Sequence, residues 1–201
     1  MKQLPAGAAL IVIDVQQAFE DPSWGARNNQ QAEDNIAMLL SAWRRARQPL
    51  YHVQHRSQRA GSLFHPDVPG FRVKPQAEPL PGEPVIYKNV NSSFIGTDLE
   101  QRLHAAGITA LVTCGITTDH CVSTTARMAG NFGFDTYIVS DATATFERVG
   151  PDGRHYTAQQ MHDTALASLH GEFATVMTAA AIIAALGQSS SGPNGLPLAR
   201  S

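Results

Sequence analysis

Short apolar runs rich in β-branched residues, each bounded by glycine, proline or polar positions, alternate along the chain with longer stretches of helical period. The runs predict strands at residues 8–15, 50–55, 84–87, 110–114, 135–140 and 174–177. They are apolar at successive rather than alternate positions, the mark of parallel strands covered on both faces. Between them, residues 29–47 carry Ile36, Met38, Leu39, Leu40 and Trp43 on one helical stripe that Pro49 stops. Further helices are predicted at 98–106, with an acidic start and a Gly107 stop, at 118–131, at 157–169 and, shorter, at 179–186. A repeating βα order of this kind predicts an α/β fold with helices on each side of a mainly parallel, six-stranded sheet.

Two stretches break the alternation. Residues 56–84 hold six prolines and three glycines without a period, which reads as a functional loop rather than an ordinary connection. Residues 142–156 form a shorter irregular stretch rich in polar side chains. Residues 188–201 are rich in Ser, Gly and Pro and lack an apolar face, so they read as a flexible tail. The 201 residues are too few for two comfortable cores, and a single domain over 1–187 is expected.

Composition narrows the partners. With 43% hydrophobic and 16% charged residues the chain should fold, and a net charge of −2 offers no basic field to nucleic acid or anionic membranes. The first apolar run is short and broken by Asp14, which suits neither a signal peptide nor a membrane span. Two cysteines, Cys114 and Cys121, are too few for a disulfide framework, so free thiols and a cytoplasmic location are expected.

In an open parallel sheet, ligands bind beyond the carboxyl ends of the strands, near the point where strand order reverses. Polar residues that end strands are therefore the ones to weigh. Asp14 ends the first apolar run, Lys88 ends the third, and Cys121 opens the helix after the fourth. A thiol in the first turn of a helix feels the positive end of the dipole and loses its proton more easily, whereas a structural cysteine is simply a small buried hydrophobe. Cys114, inside an apolar strand, fits the structural role; Cys121, approached through Gly115, Thr117, Thr118 and His120, fits the reactive one. Asp14 alone would serve equally as a loop cap, and Lys88 alone as a solvated strand end. Together they suggest a buried acid and base that hold each other ionised beside a thiol.

Three segments carry a family likeness. Residues 14–19, DVQQAF, resemble the DxQxxF opening of the isochorismatase-like cysteine hydrolases, the superfamily of nicotinamidases and N-carbamoylsarcosine amidases. Residues 112–122, VTCGITTDHCV, are similar to the GxxTxxCV nucleophile segment of that family. Between them Lys88, followed by Ser92, Ser93, Phe94, Gly96, Thr97 and Leu99, resembles its K…SxF.GT.L segment. Order and spacing agree over residues 8–180. The resemblance implies a three-layer, doubly wound α/β/α sandwich with an Asp14, Lys88 and Cys121 triad. By that analogy Asp14 takes the thiol proton and returns it to the leaving group, Cys121 attacks a carbonyl, and Lys88 holds both in charge. It also implies a cis peptide between Ile116 and Thr117, with the N–H groups of Thr117 and Cys121 as an oxyanion hole.

Where the nicotinamidase branch carries a DWH metal-binding segment, the matching residues are Gln54, His55, Arg56 and Ser57, so no metal or other cofactor is expected. His52, His55 and His65 lack a clear third convergent partner. His55 and Arg56 read instead as pocket wall and substrate contacts, with Gln16 beside them, and Phe19, Trp24, Phe64 and Phe94 would supply apolar walls. His120 is expected to face away from the nucleophile. The first functional reading is hydrolysis of a C–N bond in a small amide, ureide or carbamoyl compound through a Cys121 acyl-enzyme. The alternatives are vinyl-ether cleavage with Asp14 as general acid, or a non-catalytic small-molecule binding protein. Relatives commonly assemble, so a homodimer or homotetramer is expected.

Overall fold

In the computed structural model, which describes residues 4–189, the chain runs β1 (Ala9–Ile13), α1 (Ala32–Ala46), β2 (Leu50–His55), β3 (Val85–Lys88), α2 (Leu99–Ala105), β4 (Ala110–Ile116), α3 (Ser123–Asn131), β5 (Asp135–Ala144), β6 (Arg148–Val149), β7 (His155–Tyr156), α4 (Ala158–Leu169), β8 (Thr175–Met177) and α5 (Ala179–Ser189). Six strands make one parallel sheet in the order β3-β2-β1-β4-β5-β8, and β6 pairs antiparallel with β7 in a small hairpin.

The period of two along each strand sorts side chains to the two faces. In β1, Leu10 and Val12 face the core under α1 and α5, among Ile36, Leu39, Trp43 and Ile182. Ala9, Ile11 and Ile13 face the opposite core, among Leu99 and Leu103 of α2, Ala126 and Ala129 of α3 and Leu166 of α4. The result is the three-layer doubly wound sandwich, with both faces of β1 sealed from water. Trp43, fully buried, satisfies its indole N–H on the Ala8 carbonyl at 3.0 Å. At the start of α4, Thr157 and Gln160 form a reciprocal capping box.

Two of the element ends that differ from the pattern-based expectation matter to the site. β1 stops at Ile13 because Asp14 adopts a left-handed backbone, φ 52°, that no strand continues. β5 runs past residue 140 to Ala144 because the β4–β5 register shifts between Thr113 and Gly115, after which Gly115 pairs with Thr143 and Ile116 with Ala144. The stretch 142–156 is therefore part strand and part β6–β7 hairpin rather than wholly irregular.

Loop 56–84 is tied down over the sheet edge. Gln17 N–H donates to the Arg72 carbonyl at 2.8 Å, Lys74 N–H to Val15 at 2.9 Å, and short helical turns at Pro69–Phe71 and Pro75–Ala77 take up the prolines. Helix α5 continues through Ser189, two residues into the expected tail, and the remainder, 190–201, lies outside the described residues. Among the described residues no helix is long and apolar enough to cross a membrane.

Candidate active site

The chain lays β1, β2 and β3 to one side of the sheet and returns to place β4 on the other flank of β1. Strand order thus reverses between β1 and β4, and their carboxyl ends open a crevice. Asp14 follows β1, His55 ends β2, Lys88 ends β3, and the segment Thr117 to Cys121 follows β4.

Lys88 is the hub. Its ammonium, with no solvent exposure, donates to Asp14 Oδ2 at 2.5 Å and to the Val90 carbonyl at 3.2 Å, and lies 3.5 Å from Cys121 Sγ and 3.4 Å from His55 Nδ1. Asp14 Oδ1 is buried and has no hydrogen-bond partner among the described residues. The Asn91 amide oxygen stands 3.9 Å from the thiol.

The nucleophile segment is anchored from behind. The Ile116–Thr117 peptide is cis. Gly115, at φ 127°, passes so close to β1 that a Cβ there would stand 1.9 Å from the Ile13 carbonyl oxygen. Thr143 Oγ1 donates to the Gly115 carbonyl at 2.7 Å, and Thr118 Oγ1 lies 2.9 Å from the Nδ1 of buried His162 on α4. Cys121 sits in a wide π-type turn, Thr118–Val122, that leads into α3. Contrary to the dipole expectation, its thiol is pushed up from the usual range, first by burial and then by the Asp14 carboxylate, against the opposing pull of Lys88. Desolvation and the neighbouring carboxylate both favour the protonated form, with Asp14 beside it as the base.

A cavity of about 180 Å³ opens onto these groups, lined by Asp14, Phe19, Trp24, His55, Phe64, Asn91, Thr117, His120 and Cys121. Phe19, Trp24 and Phe64 form an aromatic box, with Phe19 ring centroids 5.1 Å from Trp24 and 5.0 Å from Phe64, and Phe146 stacks behind Phe19 and Trp24. The long loop contributes Phe64, and the Trp24 indole is pinned by its N–H to the Ala18 carbonyl at 2.8 Å. A larger, more open cleft of about 640 Å³ lies behind the Phe19–Phe146 wall but contains none of Asp14, Lys88 and Cys121.

Of the residues singled out in the sequence, Asp14, Lys88, Cys121, Thr117, His55 and Phe19 come together; three others do not. Gln16 is fully buried with both ends of its amide held by main chain, so no group is left for a ligand. Arg56 follows His55 on an alternating strand end and so points the other way, over the Tyr87 ring at 5.6 Å. Phe94 packs into the core between Phe132 and Phe134. His120, expected to face away, lines the cavity rim. Asn91 and Phe146 were not anticipated; only Asn91, three residues after Lys88 in a segment already marked, carried a local signal.

The residues at the position of the nicotinamidase metal segment do not fit a metal. His55 Nδ1 faces the Lys88 ammonium, Ser57 Oγ accepts from the Arg59 N–H, His52 is bonded to Glu83 and His65 to Asp67. Among the described residues no three His, Cys, Asp or Glu side chains converge as a ligand set.

The sequence matches the isochorismatase domain family over residues 8–181. It is 51% identical over 170 residues to the isochorismatase family protein YrdC of Bacillus subtilis, covering 85% of this chain and 91% of that protein. It is 29% identical over 230 residues to ureidoacrylate amidohydrolase RutB of Methylobacterium radiotolerans, covering 97% and 85%. The crystal structure of an isochorismatase-family protein from Chromobacterium violaceum superposes with a TM-score of 0.91 at 44% identity, covering 94% of this chain and 99% of that one. With its sheet order, crevice and sequence all in agreement, the chain belongs to the isochorismatase family and is a hydrolase of that family.

Proposed function

We propose that the protein hydrolyses a C–N bond of a small amide, ureide or carbamoyl compound through a covalent Cys121 intermediate. One observation carries the reading: a single buried ammonium, Lys88, touches both the Asp14 carboxylate and the Cys121 sulfur, and those two residues line the pocket. Asp14 takes the thiol proton and becomes a neutral acid as Sγ forms a bond to the substrate carbonyl carbon, whose π pair moves to oxygen, and Lys88 stabilises the negative charge that develops on sulfur on the way. The N–H groups of Thr117 and Cys121 receive the developing oxyanion. The C–N bond then breaks as Asp14 returns the proton to the leaving nitrogen. Water, deprotonated by Asp14, attacks the thioester; the C–S bond breaks and the thiol is restored.

An amidohydrolase among the relatives supports the C–N reading, and the small aromatic box favours a compact substrate. Two buried free thiols fit a reducing compartment, and we place the enzyme in the cytoplasm as a homodimer or homotetramer, a state that light scattering reads directly. The catalytic test is ammonia release from a panel of small amides, ureides and carbamoyl compounds, with Cys121→Ala beside the wild type and chelator added. Release that needs Cys121 and ignores chelator is expected. No release from any compound would instead shift weight to vinyl-ether cleavage, with Asp14 as general acid, or to a binding role.

A further inference from the structure

We infer that His55 reads the substrate, presenting one neutral N–H, on Nε2, to an uncharged hydrogen-bond acceptor carried by the small amide. The inference rests on the proposed acyl transfer at Cys121.

A lysine ammonium has three donors and no acceptor. Asp14 Oδ2 and the Val90 carbonyl take two of those on Lys88, and the third lies between Cys121 Sγ and His55 Nδ1. A ring nitrogen facing an ammonium at 3.4 Å serves only as an acceptor, so the proton of the neutral imidazole sits on Nε2. Burial, and then the Lys88 charge, hold the His55 imidazolium below its usual range against the opposing Asp14 carboxylate.

The placement of the ring is built rather than incidental. Gln16 holds the His55 N–H and carbonyl together, and the ring packs edge-on to Phe64 at 5.3 Å. His55 lines the same cavity as Cys121, and the only side-chain hydrogen bond of its ring among the described residues is the one to Lys88. A donor on a ring packed against Phe64, in a cavity walled by Phe19 and Trp24, is best satisfied by an acceptor on the ligand. That acceptor is uncharged, a carbonyl, ether or ring heteroatom, because the Asp14–Lys88 pair is already neutral and a carboxylate desolvated against a neutral donor lacks a counter-charge.

The test has two parts. Two-bond ¹H–¹⁵N correlation spectra at pH 7, with His55 assigned by its loss in His55→Phe, should show the Nε2–H tautomer; an Nδ1–H or charged ring overturns the inference. The second part uses cyclohexanecarbaldehyde and the isomeric tetrahydropyran carbaldehydes, which have the same shape but carry a ring oxygen. Cys121 sulfur adds to the aldehyde carbon and the thiol proton ends on the oxygen, so nothing leaves. Binding is read as protection of Cys121 from iodoacetamide, resolved from Cys114 by mass spectrometry. At least one oxygen isomer should protect at roughly three- to tenfold lower concentration than the carbocycle, the worth of one hydrogen bond. His55→Phe and His55→Leu should each abolish that advantage, so that every oxygen isomer protects no better than the carbocycle measured in the same variant. Equal protection by every aldehyde overturns the role of His55 and leaves Cys121 standing; protection by none overturns the proposed acyl transfer as well.

Discussion

Gln16 grips the main chain of His55 with both ends of its amide: Oε1 accepts from the His55 N–H at 2.9 Å, and Nε2 donates to the His55 carbonyl at 3.1 Å and to the Phe71 carbonyl at 3.0 Å. One side chain therefore joins the end of β1, the end of β2 and the long loop. Gln16→Ala removes the partner of the His55 N–H and carbonyl and leaves the Phe71 carbonyl to Gln54 Nε2, and a loss of about 2–4 kcal/mol in denaturant unfolding is expected. As His55 loosens, KM should rise more than kcat falls. A variant as stable as the wild type would contradict the clamp.

The Asp14–Lys88 pair has almost no solvent exposure on either side chain. Removing one partner strands the other charge in the core, so Lys88→Met and Asp14→Leu should each cost about 3–5 kcal/mol. The double variant should recover most of that loss while remaining inactive. Thermal unfolding of the three proteins beside the wild type measures the coupling, and additive losses would rule it out.

At Gly115 the β4 backbone runs against Ile13, and no room exists for a methyl group. Since the neighbour is main chain and φ is 127°, neither side yields cheaply. Gly115→Ala should destabilise by several kcal/mol, on the order of 3 or more, and displace the following Cys121 turn. Soluble expression and melting temperature report the first effect; the alkylation rate of Cys121 reports the second.

Glu33 on α1 accepts from Arg27 and Lys74, with Lys74 Nζ at 2.8 Å, and thereby pins the 56–84 loop to the helix layer. Burial favours the protonated acid, but the Arg27 and Lys74 hydrogen bonds outweigh it and bring Glu33 to about 2. A carboxylate depressed in the folded state contributes stability above its unfolded pKa, near 4.5, and loses it as pH falls toward 2. The stability gap between wild type and Glu33→Gln should therefore be full at pH 6 and shrink steadily below about 4.5. A gap that does not change with pH would show that the ion cluster is not the cause.

The sheet was legible in the sequence because its strands are buried on both faces, and burial leaves unbroken apolar runs that periodicity detects. The convergence of Asp14, Lys88 and Cys121 was legible for a related reason. Each ends or follows such a run, and in a parallel sheet those ends share one edge. The aromatic box was half legible: Phe19, Trp24 and Phe64 could be named as wall candidates, but so could Phe94, since a phenylalanine reads the same in a core as in a pocket.

By itself, then, the sequence determined the layering of the protein, the order of its elements and which polar residues stand at the sheet edge, all of which follow from local pattern. Tertiary structure alone decided what each of those residues does there. Gln16 became a clamp rather than a contact because three main-chain groups from two distant segments meet its amide. The Cys121 thiol is pushed up because of desolvation, a property of everything packed around it that no local pattern shows. Phe146 reaches the box because a register shift between Thr113 and Gly115 sets β5 back by three residues against β4, and such a shift is set by how two strands pair and not by either strand alone.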